Sequence, residues 1–256
     1  MSQAKSILIL FVLFFATSLA AQSATLTVCA SGCAYSSIQG ALAAASDGDT
    51  LELAAETFFE GDLMVDRDLT IRCASGFATV DGNGALTVFE IDSDAYVTFE
   101  NLRLTDATRA VITNHGTARL ETVYVLGSGA DSTYGGIVNY ADAFLQVLDA
   151  SVVAGHRSPT LGGGINNFGD LEIDNSTILG NRGRLGGGIL NSQGDVVVTA
   201  SSISGNRATL RGGGYANVNV HGGAVIVLPS ASFSSNIADV DCDRYYDIHR
   251  TPACVN

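Results

Sequence analysis

Apolar and polar residues alternate along this chain in runs too short for anything but strands. Leu69-Thr70-Ile71-Arg72-Cys73 puts Leu69, Ile71 and Cys73 on one face; Leu171-Glu172-Ile173 and Val196-Val197-Val198 are similar strand-like runs, with Gly or Asn between them. The pattern also repeats. Asp149–Arg157, Asp174–Arg182 and Thr199–Arg207 align without gaps at a spacing of 25 residues, and another copy, Ala231–Asn236, follows after five extra residues. Columns emerge from that alignment: Val153, Ile178, Ile203 and Phe233 are apolar, Ser151, Ser176 and Ser201 carry hydroxyls, and His156, Asn181, Asn206 and Asn236 mark a turn. A second register, Ile112, Ile137, Ile165, Ile189 and Tyr215, is followed two residues later by Asn114, Asn139, Asn167, Asn191 and Asn217, at intervals between 24 and 28.

One short strand pattern per 25 residues suits a coil of two or three strands, stacked on the next by parallel pairing. The handedness of parallel crossovers then predicts an all-β fold, a right-handed parallel β-helix. Asparagines at a corner would take the left-handed backbone conformation and bond to the copies above and below. Propeller blades would instead show four strands in about 40–45 residues with hairpin signals, which are missing. An open coil end is a sheet edge and needs a cover. Ser36-Ser37-Ile38-Gln39 reads as a capping box, so residues 36–46 are expected to form a short amphipathic capping helix at the N-terminal mouth. Residues 239–256, with Tyr245 and Tyr246, are expected to close the other end.

Residues 1–20 read as a secretory signal peptide, with Lys5, an apolar run from Ile7 to Phe15 and the small-residue site Ser18-Leu19-Ala20. The mature chain, 25–256 as a single β-helix domain, is then secreted, without a membrane span after cleavage. The formal net charge is -13 and the one lysine is Lys5. Such an acidic field excludes nucleic acid as a partner. The five cysteines suit an oxidising compartment; Cys29 pairs most simply with Cys33 and Cys242 with Cys254, leaving Cys73 as a buried free thiol.

The stretch CASGCAYSSIQGALAAASDGDTLELAAETFFEGDLMVDRDLTIR resembles the opening of secreted bacterial β-helix proteins of the pectate-lyase-like superfamily. The GGGI motifs at 162–165 and 186–189, GGGY at 212–215 and Phe233-Ser-Ser-Asn236 resemble the repeats of polymorphic outer-membrane proteins. The resemblance implies the fold far more than an activity, because that superfamily holds lyases, hydrolases, esterases and adhesins alike. The paired Asp and Gly-His-Gly of polygalacturonases are not visible, and the C-terminal membrane barrel of the outer-membrane proteins is not expected in a chain ending at Asn256.

Arg157, Arg182 and Arg207 fall in one column, with Arg184 and Arg211 nearby. On successive coils they would rise about 4.8 Å per step, a ladder of guanidinium forks for the carboxylates or sulfates of an acidic polysaccharide. The structural alternative is that they lean on acidic side chains of neighbouring coils. His156 beside Arg157, and His115 beside Asn114, are candidate proton acceptors, while Tyr124, Tyr134 and Tyr140 are candidate proton donors for β-elimination of a uronide; the structural alternative is variation at an exposed turn. Asp239, Asp241 and Asp243 alternate as calcium ligands would, but the glycine and distal glutamate of a calcium loop are missing and an acidic cap serves equally. No other cofactor is implied, and the oligomeric state is not legible. Two functions follow: adhesion-like, non-catalytic binding of an extracellular or cell-surface polysaccharide, or a polysaccharide lyase acting on an anionic glycan.

Overall fold

The alternation in sequence becomes an alternation of inside and outside. The computed structural model describes residues 23–127, 134–218, 225–227, 230–239 and 245–247. In it Leu69, Ile71 and Cys73 are buried while Thr70 and Arg72 are half-buried. Short strands of this kind turn successively onto three sheets: Asp49–Leu53, Thr57–Phe59 and Leu63–Val65 make one circuit, and Leu69–Cys73 begins the next. The first sheet has nine strands, running from Thr25–Val28 to Val225–Val227; the second and third have eight each, ending at Ser232–Ser234 and Tyr245–Asp247. Neighbouring strands pair parallel, so the described chain is a parallel β-solenoid with one helix, Ile38–Ala44, near its N-terminus. Side chains such as Leu51, Ile71, Phe99, Leu104, Val125, Ile165 and Ile178 point inward and form one continuous core. No helix of the described residues is long and apolar enough to cross a membrane.

The helix is two residues shorter at each end than the expected 36–46. Ser37 is its N-cap, accepting from Gly40 N at 3.1 Å. In place of a capping box closed by Gln39, Glu60 from the following coil takes the first helical N–H groups, its carboxylate accepting from Ile38 N at 2.8 Å and Gln39 N at 3.0 Å. Ile38, Ala41 and Leu42 are buried against the first coils. Asp49 joins the same end together, accepting from Ala24 N at 2.6 Å and Ser46 N at 2.8 Å, and these backbone donors hold its carboxyl below the usual range. Cys29 and Cys33 form the expected disulfide, and Cys73 is free and buried. Cys242 and Cys254 lie outside the described residues.

Both sequence registers hold in three dimensions. Ile112, Ile137, Ile165, Ile189 and Tyr215 are consecutive partners, and so are Asn114, Asn139, Asn167, Asn191 and Asn217. Each of the first four of these buried asparagines donates its amide to the next, at 2.8, 2.8, 2.8 and 3.5 Å. The apolar column Val153, Ile178, Ile203, Phe233 is equally in register. Ser151 and Ser201 are buried and accept from Val123 N and Ser176 N, each at 3.0 Å.

The corners correct one expectation. The asparagines of the turn column do not adopt the left-handed backbone; the residue before each does, Gly155, Gly180, Gly205 and Ser235, with φ of 76°, 63°, 62° and 54°. A second left-handed column, Asn101, Thr122, Ala150, Asn175 and Ala200, lies between the first and second sheets, with φ from 46° to 64°. Three of those residues have no chemical preference for that region, so the sequence did not betray them.

Candidate functional site

Beyond Gly180, Gly205 and Ser235 the chain runs into a fourth, three-stranded sheet made of Arg182–Leu185, Arg207–Arg211 and Ile237–Ala238. Its register sets Arg182 opposite Arg207, and an isolated bridge adds Arg157 opposite Arg182. The predicted arginine column is therefore a true register of three, and Ile237 occupies the next position. Arg157, Arg182, Arg184 and Arg207 are exposed and Arg211 is half-buried. A bulge between Gly183 and Leu185 brings Leu185, not Arg184, opposite Arg211, so those two arginines stand outside the column.

The repeated Gly-Gly-Gly and Gly-Asn-Arg motifs are two halves of one device. A Cβ on Gly164 would come within 2.5 Å of Gly188 O and 2.9 Å of Asn181 Nδ2; one on Gly163 would come within 2.7 Å of Arg182 N. Only glycine lets the fourth sheet lie this close to the chain entering the third sheet, and that closeness fixes the backbone that presents the arginines. A depression of about 200 Å³ results, lined by Arg157, Ser158, Pro159, Arg182, Gly183 and Thr209. Arg182 and Arg184 make no ion pair among the described residues. Arg207 meets Asp239 at 2.7 Å, with both side chains partly exposed.

His156 does not share the surface with Arg157, because successive residues of an extended chain point to opposite sides. It is fully buried, and burial pushes its pKa down to about 4. Its role is that of the asparagines above it. Asn181, Asn206 and Asn236 donate to Val153 O, Ile178 O and Ile203 O at 2.9, 2.9 and 2.8 Å, and His156 Nε2 lies 3.0 Å from Val125 O, the equivalent carbonyl one coil below. This bond calls for the Nε2–H tautomer. The His156 N–H in turn donates to Asn181 Oδ1 at 3.0 Å. The expectation of an exposed turn at His156 is corrected: it is a rung of a buried ladder.

Three other candidates do come together. His115 stacks on Tyr140 with ring centroids 4.2 Å apart and planes 9° from parallel, and Tyr140 accepts from Arg109 Nη2 at 2.8 Å. The Arg109 guanidinium lies 5.3 Å from the centre of the Tyr134 ring, and Glu90 stands 3.7 Å from His115 Nε2. Arg109 and Glu90 went unnoticed in the sequence. A signal existed for Arg109: it precedes Tyr134 by 25 residues, as His115 precedes Tyr140, the offset that pairs Ile112 with Ile137. Tyr124 is elsewhere, on the second sheet, with Arg103 over its ring at 5.7 Å.

No family model matches the chain, and neither does any curated protein or solved structure. Among the described residues no group of three or more His, Cys, Asp or Glu side chains is placed to hold a metal ion. Asp239 is engaged by Arg207, while Asp241 and Asp243 lie outside the described residues.

Proposed function

We propose that this protein is a secreted, right-handed β-helix of one domain, closed at its N-terminal mouth by the helix Ile38–Ala44, that holds an anionic polysaccharide without transforming it. The observation that carries the reading is the register of Arg157, Arg182 and Arg207, repeated at about the 4.8 Å strand spacing. Five arginines and no Asp or Glu occupy residues 156–168, 181–191 and 206–217 of a chain whose formal net charge is -13. A cationic strip on an acidic rod favours a polyanion laid across the strands, and repetition adds avidity.

Replacing Arg157, Arg182 and Arg207 together by Gln should weaken retention on immobilised pectate, alginate or a glycosaminoglycan by about 10- to 100-fold, three exposed contacts at roughly 0.5–1 kcal/mol each. Thermal stability should stay unchanged, and added salt should weaken the wild type more than the variant. Retention equal to wild type would reject the column as the site.

A lyase acting on the same class of glycan is the second reading, favoured by the gathering of His115, Tyr134 and Tyr140 around Arg109. It requires unsaturated uronide absorbance from at least one of those glycans, and silence across the panel ends it.

A further inference from the structure

Arg109 is a half-buried guanidinium that aromatic groups hold and no carboxylate neutralises among the described residues, whereas Arg67, Arg72, Arg119 and Arg207 each meet an acid. Its side chain leaves the corner before Ile112–Asn114 and ends on Tyr140, just past the next strand of that sheet. Tyr134 lies against the guanidinium, and the stack of His115, Tyr140 and Phe168, with centroid separations of 4.2 and 6.3 Å, fixes the hydroxyl that the guanidinium grips. On the strand between these residues Thr113, in register with Glu90 and Val138, is 1 % exposed, and its Oγ1 has no hydrogen-bond partner. Neither the asparagine ladder nor the core needs any of these groups.

We propose that this cluster is a second binding site, apart from the arginine column, and that it takes a single carboxylate-bearing sugar, a uronate. A guanidinium has five N–H donors, and Tyr140 uses one. The rings hold the long side chain in place before a ligand arrives, so little rotamer freedom remains to be lost on binding. Such a donor fork matches a carboxylate. Glu90 then discriminates among anions. A bare anion beside Arg109 meets the repulsion of the Glu90 carboxylate, whereas a sugar acid offers hydroxyls that donate to Glu90 and bond with His115. The pairing of one unneutralised cation with one nearby acceptor therefore selects a molecule that is both anionic and hydroxylated.

The test titrates the intact protein with galacturonate, galactose and acetate, following the side-chain resonances of His115 and Tyr140. Galacturonate should shift both, with at least about tenfold tighter binding than galactose or acetate. Arg109→Gln should weaken galacturonate by at least about tenfold. The triple Gln variant of Arg157, Arg182 and Arg207 should bind galacturonate as wild type does, which separates this site from the column. Glu90→Gln should narrow the preference for galacturonate over acetate, and it keeps the test decisive if Arg109→Gln fails to fold. Wild-type affinity in Arg109→Gln, equal binding of galactose, an unchanged preference in Glu90→Gln, or unmoved resonances in folded protein would each overturn the proposal.

Discussion

Replacing His156 with Asn should turn a pH-sensitive rung into an insensitive one. The folded pKa of about 4 lies below the ordinary value of 6.5. Between those values the unfolded chain binds a proton that the folded chain refuses, so the stability present above pH 6.5 is lost as the pH falls toward 4. One pKa unit is about 1.4 kcal/mol, so the interval amounts to about 3 kcal/mol, or roughly 6–12 °C in melting temperature for a chain of this size. Asparagine makes the same donation to the carbonyl below at positions 181, 206 and 236. His156→Asn therefore keeps the bond to Val125 O at neutral pH, and the backbone N–H of residue 156 still donates to Asn181. The smaller amide leaves a void of a few tens of Å³, costing about 1 kcal/mol at about 24 cal/mol per Å³. Urea unfolding followed by far-ultraviolet circular dichroism at pH 7, 6, 5 and 4 should show the variant slightly weaker at pH 7. The order should reverse at about pH 5–6, where the proton-linked loss of the wild type overtakes the cost of the void. His156→Ala, which leaves Val125 O without its buried donor, should lose about 1–3 kcal/mol beyond the void at pH 7, a deficit relative to wild type that shrinks as the pH falls toward 4. A constant difference between wild type and His156→Asn from pH 7 to 4 would refute the assignment of a buried neutral imidazole.

Gly164→Ala should be poorly tolerated, since its Cβ would meet the backbone oxygen of Gly188 at 2.5 Å. We expect a loss of about 3 kcal/mol or more in urea unfolding, and an unchanged midpoint would mean that the glycine stack is looser than described. Ala200→Asn should be stabilising, because Ala200 is exposed with φ of 48° and asparagine already occupies that corner at positions 101 and 175. Relief of part of the left-handed penalty should contribute about 0.5–1 kcal/mol, visible as a melting temperature higher by roughly 1–4 °C; a lower value would remove strain as the reason.

The sequence made the ladders legible because a parallel solenoid converts an offset along the chain into an address in space. Ile112 meets Ile137, and Asn114 meets Asn139, at the offset the spacing had suggested. Arg157, Arg182 and Arg207 were readable for the same reason. Orientation was harder. A Gly-His-Arg triplet looks like an exposed turn, yet the histidine points inward, because this core accepts polar side chains wherever a ladder satisfies them. Glu60 capping a helix 21 and 22 residues earlier has no local pattern to reveal it, and Arg109, legible only through its offset of 25 to Tyr134, reaches Tyr140 at a separation of 31 that no period predicts. Their partners are set by how far a side chain extends between coils, not by the period of the backbone.

The asparagine ladder also has a sense of direction. Every amide from Asn114 to Asn191 gives its proton to the next residue along, so at the first rung Asn114 Oδ1 is buried with no donor, because Ile91 occupies the preceding position. Adding an asparagine at 91 would satisfy that oxygen and orphan its own. In a file of identical one-way links the mismatch is conserved: mutation with more of the same moves it outward by a coil, and only a different chemistry at the first position can remove it.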